Sequence, residues 1–276
     1  RDAVQARPVP AASDLRYYRD HDGLCAIYTG LFPSPNFQEG APPYLSGGGV
    51  IHRGVDGKPA VVRDEQLRFA LSVPNGPMPD KGWPLILYAH GTGGDYLSFT
   101  GEGIDLRAAR IEDEGGALLA RAAVLSIDQV LHGPRDPTGS APELTFFNLK
   151  NLAAARDNTL QGATDDFSLL RLASGINVAA APVTGRPIRF DMGHVYFVGH
   201  SQGGLTGPPF ASLAPDLRAA VLSGAGAVLT LSLLNKREPV DILTLVESAL
   251  GEPAAPDHPM LNLLQAYFER ADPGNY

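Results

Sequence analysis

From Leu67 onward the chain alternates two kinds of apolar pattern. Unbroken apolar runs occur at Leu85 to Ala89, Ala122 to Ile127, Val195 to Val198 and Ala219 to Leu222. Their length and composition predict strands buried on both faces, and Leu67 to Val73 predicts another strand. Between the runs lie segments of helical character. Residues Asp105 to Arg121 are rich in helix formers. In Lys150 to Leu172, apolar Leu152, Ala155, Leu160, Ala163, Phe167 and Leu170 recur at roughly helical spacing. Leu205 to Leu213 predicts a helix interrupted by Pro208 and Pro209, and Asp241 to Leu250 and Met260 to Arg270 predict two more. The expected fold class is therefore α/β, with a mostly parallel central sheet, right-handed crossovers and helices on both faces.

Residues 1–60 read differently. They are rich in glycine and proline, with no sustained period of 2 or 3.6, which predicts an irregular arm. Its aromatics, among them Tyr17, Tyr18, Tyr28, Phe32 and Phe37, predict an arm packed on the domain, since disordered tails are poor in them. Residues 61–226 then form the core, and residues 227–276 a helical cap or lid.

Composition narrows the function. The 276 residues are 44% apolar, enough for one substantial core. A formal charge of -8 offers no attraction to phosphate backbones, so nucleic acid is not an expected partner. No apolar run reaches the ~18 residues of a membrane-spanning helix. Cys25 has no second cysteine to pair with, and its expected role is that of a small buried hydrophobe. A chain starting at Arg1 fits removal of an export signal, giving a secreted or periplasmic expectation.

In a parallel sheet, ligands bind beyond the carboxyl ends of the strands. Three loops qualify, after Ala89, Ile127 and Val198. The last reads Gly199-His200-Ser201-Gln202-Gly203, a Gly-x-Ser-x-Gly between a strand and a helix. Such a turn lifts the serine hydroxyl above the sheet, so Ser201 is the candidate nucleophile. His200 precedes it and is expected to pack away from it. An oxyanion needs two donors; the Gln202 N–H is one, and the Thr92 N–H of His90-Gly91-Thr92-Gly93-Gly94 is the choice for the other, with Gly93 as fallback. The same glycine run does not fit a dinucleotide fingerprint, because the third glycine would fall on Tyr96. No Walker motif occurs.

With these motifs the chain resembles the α/β-hydrolase superfamily, and within it the bacterial lipase- or esterase-like serine hydrolases. The resemblance spans roughly residues 67 to 226. It also takes in Asp128 to Arg135 and the helix holding Ala155-Arg156-Asp157-Asn158 and Gln161. It implies cleavage of carboxylic esters through an acyl-enzyme on Ser201, with a small-molecule, lipid or polyester ester as substrate. It also implies a triad in the chain order serine, acid, histidine. After Ser201 the one histidine is His258, and Glu247 precedes it by too few residues for a helix and a strand between them. The acid, the histidine and the last strands are thus expected on a C-terminal segment past Tyr276 or on a second polypeptide. The competing readings are a catalytically silent hydrolase fold used as a binding or assembly module, and an acyltransferase or peptidase on the same fold.

His90, Asp128 and His132, on loops at the active-site side, are candidates for substrate contact, against a structural role in holding loops. His194 is expected as a core histidine. No metal site and no cofactor are predicted. Asp165-Asp166 and Glu112-Asp113-Glu114 read as solvated acidic faces. Trp83, Phe146, Phe147 and Phe210 are candidates to line an acyl or aryl pocket, with core packing as the alternative.

Overall fold

The computed structural model describes residues 1–238 and 241–276. A short helix α1 (Asp2–Gln5) precedes three long strands, β1 (Ser13–His21), β2 (Cys25–Asn36) and β3 (Arg63–Pro74). Then come β4 (Trp83–Ala89), helices α2 (Ser98–Gly101) and α3 (Ile104–Ala108), the small hairpin β5 (Ile111–Glu112) and β6 (Leu118–Ala120), and β7 (Ala123–Ile127). Helices α4 (Pro142–Phe146) and α5 (Leu152–Gly175) lead to β8 (Asn177–Val178) and β9 (Ile188–His200). Helix α6 (Gln202–Ala211), β10 (Leu217–Ser223) and helices α7 (Leu229–Asn235), α8 (Ile242–Leu250) and α9 (Pro259–Phe268) follow.

The main sheet has the order β1-β2-β3-β7-β4-β9-β10, with β8 paired to β9. Strands β7, β4, β9 and β10 are parallel, as their apolar runs predict, but β10 is not buried as expected, because it is the edge strand and residues 218–223 are exposed. Alternate residues of β4 face opposite sides: Leu85, Leu87 and Ala89 join one core, and Tyr88 with Ile86 joins the other. Helix α5 covers the first side and α3 the second.

The arm is the first correction. Strands β1 and β2 are not irregular: β2 pairs antiparallel with β3 in unbroken register from Cys25 opposite Pro74 to Asn36 opposite Arg63, and β1 pairs antiparallel with β2 through two register shifts. Proline is tolerated here because β1 pairs with β2 only as far as Leu31, so at Pro33 and Pro35 β2 has β3 alone as neighbour and is an edge strand, where a missing N–H costs no ladder bond. Residues 37–62 remain loop-like and are held by α5. Asp157 Oδ2 accepts the Ile51 N–H at 2.8 Å, Gln161 Oε1 accepts the Phe37 N–H at 2.9 Å, and Asn158 Oδ1 accepts from Gln38 Nε2 at 2.8 Å.

Three further expectations change. Asp105 to Arg121 is not one helix: α3 ends at Ala108, and the chain turns through Gly115-Gly116 into the exposed β5-β6 hairpin. Helix α6 starts earlier, at Gln202, and runs through Pro208 and Pro209, ending within a turn of them. Asp165 and Asp166 are buried, not solvated. Asp165 Oδ2 lies 2.8 Å from Arg135 Nη1, and Arg135 also pairs with Glu65 of β3. A buried acid of this kind leaves no apolar signature in the sequence.

Candidate active site

Strand β9 ends and α6 begins at one residue, Ser201, which has φ 51° and ψ -107°. A positive φ is rare for a residue with a side chain and holds strain that the surroundings must fix. The two flanking glycines permit the turn: a methyl group at Gly199 would collide with the Gly203 carbonyl, and one at Gly203 with the Ala89 carbonyl of β4. The Ser201 N–H donates to Ser223 O of β10 at 2.8 Å, and its carbonyl accepts the Gly204 N–H at 2.8 Å. The serine backbone is thereby tied to both neighbours. Gln202 opens α6, where the first N–H groups lack intrahelical partners and the helix dipole is positive.

The loop after β4 lies against this turn. A methyl group at Gly91 would stand 3.1 Å from Ser201 Cβ. Thr92 Oγ1 donates to the buried Gln202 side chain at 3.1 Å. The Gly93 N–H is taken by His132 Nε2 at 3.0 Å, and the Gly94 N–H by Gly91 O at 3.0 Å. Of the two candidate loop donors, Gly93 is thus engaged, while the Thr92 N–H has no hydrogen-bond partner among the described residues.

His90 and His132 are both buried and form a pair, their ring centroids 4.9 Å apart. His90 Nε2 accepts the Gln129 N–H at 2.9 Å, so its proton sits on Nδ1, which donates to Gly91 O at 2.7 Å. His132 Nδ1 donates to Val130 O at 2.9 Å while its Nε2 accepts from Gly93. Burial, helped by the neighbouring His132, pushes His90 down to about 3. Burial also lowers His132. Two neutral imidazoles with opposite ends committed thus staple the loop after β7 to the loop after β4. Asp128 is occupied too, its carboxylate gripping Arg68 at 2.6 and 2.9 Å.

Other histidines fall elsewhere. His200 is exposed, its Nδ1 3.3 Å from Ser223 Oγ, and does not pack inward as expected. His194 is half-exposed and pairs with Asp191 at 2.8 Å, because a register shift puts residues 191–194 outside the ladder. His258 caps α9 by accepting the Met260 N–H through Nδ1, and its Nε2 pairs with Glu252 at 3.1 Å. Among the described residues, no histidine hydrogen-bonds Ser201. His21, Cys25 and Asp105 bring ligand-type atoms within 4.8 Å of one another. His21 Nδ1 at 2.6 Å and Cys25 Sγ at 3.6 Å both meet Asp105 Oδ2 and tie the β1-β2 hairpin to α3, while Asp105 Oδ1 has no partner among the described residues.

A cavity of about 310 Å³ opens beside Ser201. Phe146 and Phe147 line it, as their candidacy anticipated, whereas Trp83 and Phe210 belong to the core. Its other wall comes from Leu229 and Leu233 of α7 and Leu264 and Phe268 of α9. Sequence reading did not single these out, although each pair has the i, i+4 spacing of one helix face. No described helix is long and apolar enough to cross a membrane.

This fold, a mixed sheet with parallel central strands and a glycine-flanked serine directly after β9, is that of the α/β-hydrolases. Among solved structures, the chain is similar to an acetyl xylan esterase from Paenibacillus sp. R4. The TM-score is 0.56 at 16% identity, over 99% of this chain and 71% of that one. It is also similar to acetyl xylan esterase 1 from Thermoanaerobacterium sp. JW/SL YS485, with a TM-score of 0.48 at 17% identity, over 99% and 70%. No family model and no curated protein sequence matches the chain.

Proposed function

We propose that the chain is a serine hydrolase of carboxylic esters. The observation that supports this reading best is the meeting of three features at Ser201. These are a strained strand-to-helix turn, an adjacent loop with an unpartnered Thr92 N–H, and an apolar cavity. Ser201 Oγ attacks the ester carbonyl and passes its proton to a base. The Thr92 and Gln202 N–H groups hold the oxyanion, the C–O bond to the alcohol breaks, and water releases the acid from the acyl-enzyme. The acetyl xylan esterases among the similar structures, named for ester cleavage, agree with this chemistry.

The base is the part supplied from outside residues 1–276, on a continuing segment or a second polypeptide. Within the described residues Ser201 has no histidine partner, and His258 is committed to α9. That same observation favours the second reading, a catalytically silent hydrolase fold acting as a binding module. Intact-mass analysis after a fluorophosphonate probe separates the two. One adduct, mapped to Ser201 and abolished in Ser201→Ala, is the expected result. A folded protein, chain and completing segment together, that takes up no probe would sink the hydrolase reading.

A further inference from the structure

We infer that the cavity beside Ser201 is an acyl pocket for a medium-length alkyl chain of roughly six to ten carbons, a substrate class distinct from acetyl esters. The inference rests on the proposed reading of Ser201 for its orientation, and on the cavity itself for its chemistry.

Size comes first. A methylene takes somewhat less room than the ~30 Å³ share of one water in the liquid, so a cavity of about 310 Å³ accepts on the order of ten carbons. An acetyl methyl would leave most of it unfilled, with its apolar lining still facing water.

The lining decides the chemistry. Phe146, Phe147, Leu205, Leu229, Leu233 and Phe268 face the space. Four of the polar side chains in the wall each make a hydrogen bond within the protein, and the remaining N–H groups of the exposed Asn235 and of the Lys236 ammonium are left to solvent. Thr230 Oγ1 donates to Gln265 at 3.1 Å, Ser232 Oγ to Ala227 O at 3.3 Å and Asn235 Nδ2 to Leu231 O at 2.8 Å. Lys236 Nζ donates to Glu238 O at 3.1 Å. A sugar ring placed here would lose water from several hydroxyls and find few partners, at a penalty for each. An alkyl chain has no such groups to satisfy.

Orientation follows from the two-step chemistry. The acyl half remains on Ser201 while the alcohol departs and water enters. A pocket walled by α4, α6, α7 and α9 around the serine suits the half that stays. The alcohol half then leaves across the open side of the Gly91-Thr92 loop.

The test measures binding apart from turnover. Calorimetric titration of acetate, butanoate, hexanoate, octanoate and decanoate into Ser201→Ala protein should show affinity rising about fourfold per carbon up to octanoate or decanoate. That factor corresponds to about 0.8 kcal/mol per buried methylene. Leu233→Trp and Leu264→Trp, each filling the cavity from a different helix, should cut octanoate affinity at least tenfold. Leu263→Ser, on the exposed outer face of α9, should leave it unchanged. Affinity that is flat with chain length, or unaffected by both tryptophans, overturns the pocket. In active protein, p-nitrophenyl esters of varied acyl length and octanoates of varied alcohol settle the orientation. Specificity set by the alcohol instead overturns the acyl assignment. Chain binding without probe labelling of Ser201 would leave the pocket standing and remove the hydrolase reading.

Discussion

At the scale of single residues, the loop after β4 shows why sequence reading reached the motif but not its support. The roles of Gln202 and Thr92 as oxyanion donors belong to the proposed function, but the strand-to-helix turn at Ser201 was legible because glycine spacing and flanking strands announce it. The part of His132 was not, since nothing in a sequence reveals that its Nε2 meets the Gly93 N–H at 3.0 Å. That bond fixes which way the peptide after Thr92 faces. His132→Phe keeps the bulk and removes the acceptor, freeing Gly93 N–H and loosening the peptide that presents Thr92. A lost oxyanion donor costs about 10²- to 10³-fold in kcat, and a donor merely misaligned costs less. We expect kcat on a short ester to fall about 10- to 100-fold with KM changed less than threefold. Equal losses in KM would point to a substrate contact instead. His90 and His132 also set an acid limit. Burial pushes His90 down to about 3 from an ordinary ~6.5. Below pH ~6.5 the unfolded chain takes a proton that folded His90 refuses, so this group lowers stability as pH falls, by up to about 1.4 kcal/mol per unit.

At the scale of elements, strands were easier to read than helix faces. β4, β7 and the end of β9 are short continuous apolar runs bounded by turn signals, the pattern of strands buried on both faces, whereas β10 carries the same kind of run on an exposed edge. Helix α5 was found from its apolar spacing, but its opposite side was misjudged. That side does not face water: Asp157, Asn158, Gln161 and Asp165 point into the arm and the Arg135 cluster. Polar residues satisfied by a distant segment look the same in sequence as polar residues satisfied by solvent. Asp166 goes further, being buried with its Oδ2 unpartnered among the described residues. Burial, reinforced by the neighbouring Asp165, raises its carboxyl well above the usual range. Below pH ~4 both folded and unfolded chains hold the proton and the group is neutral in its effect. Above that, the unfolded chain releases its proton while the folded one keeps it. Stability is drained by up to about 1.4 kcal/mol per pH unit until the folded carboxyl ionises. Asp166→Asn removes the ionisation and keeps the shape. In urea unfolding at pH 4, 5, 6 and 7, the variant's stability relative to wild type should climb with pH. A difference that stays constant across the series would mean that the carboxyl titrates normally.

At the scale of the whole molecule, the two edges of the sheet differ in character. At one edge β1 is exposed but polar and charged, with Asp14, Arg16, Arg19, Asp20 and His21, while at the other β10 is exposed and largely apolar. Residues Ala219 to Ser223 are all exposed, and Val221 and Leu222, which point to opposite faces, are 59% and 40% accessible. Parallel strands are ordinarily covered on both faces, and an apolar edge with unpaired N–H and C=O groups is a template for another strand. The proposal that a further segment supplies the base for Ser201 makes a structural claim at this place, because such a segment would pair along β10 and bring its residues to the serine's end of the sheet. Hydrogen exchange reads this directly. In the 276-residue chain, the alternate amides of Leu217–Ser223 that face away from β9 should exchange at nearly the rate of an open strand. In a chain extended past Tyr276, or mixed with a completing polypeptide, the same amides should slow at least tenfold, and probe labelling of Ser201 should rise with them. Faster labelling without added protection at β10 would place the base on an element that does not extend the sheet. Protection without labelling would mean that the edge is covered for assembly alone.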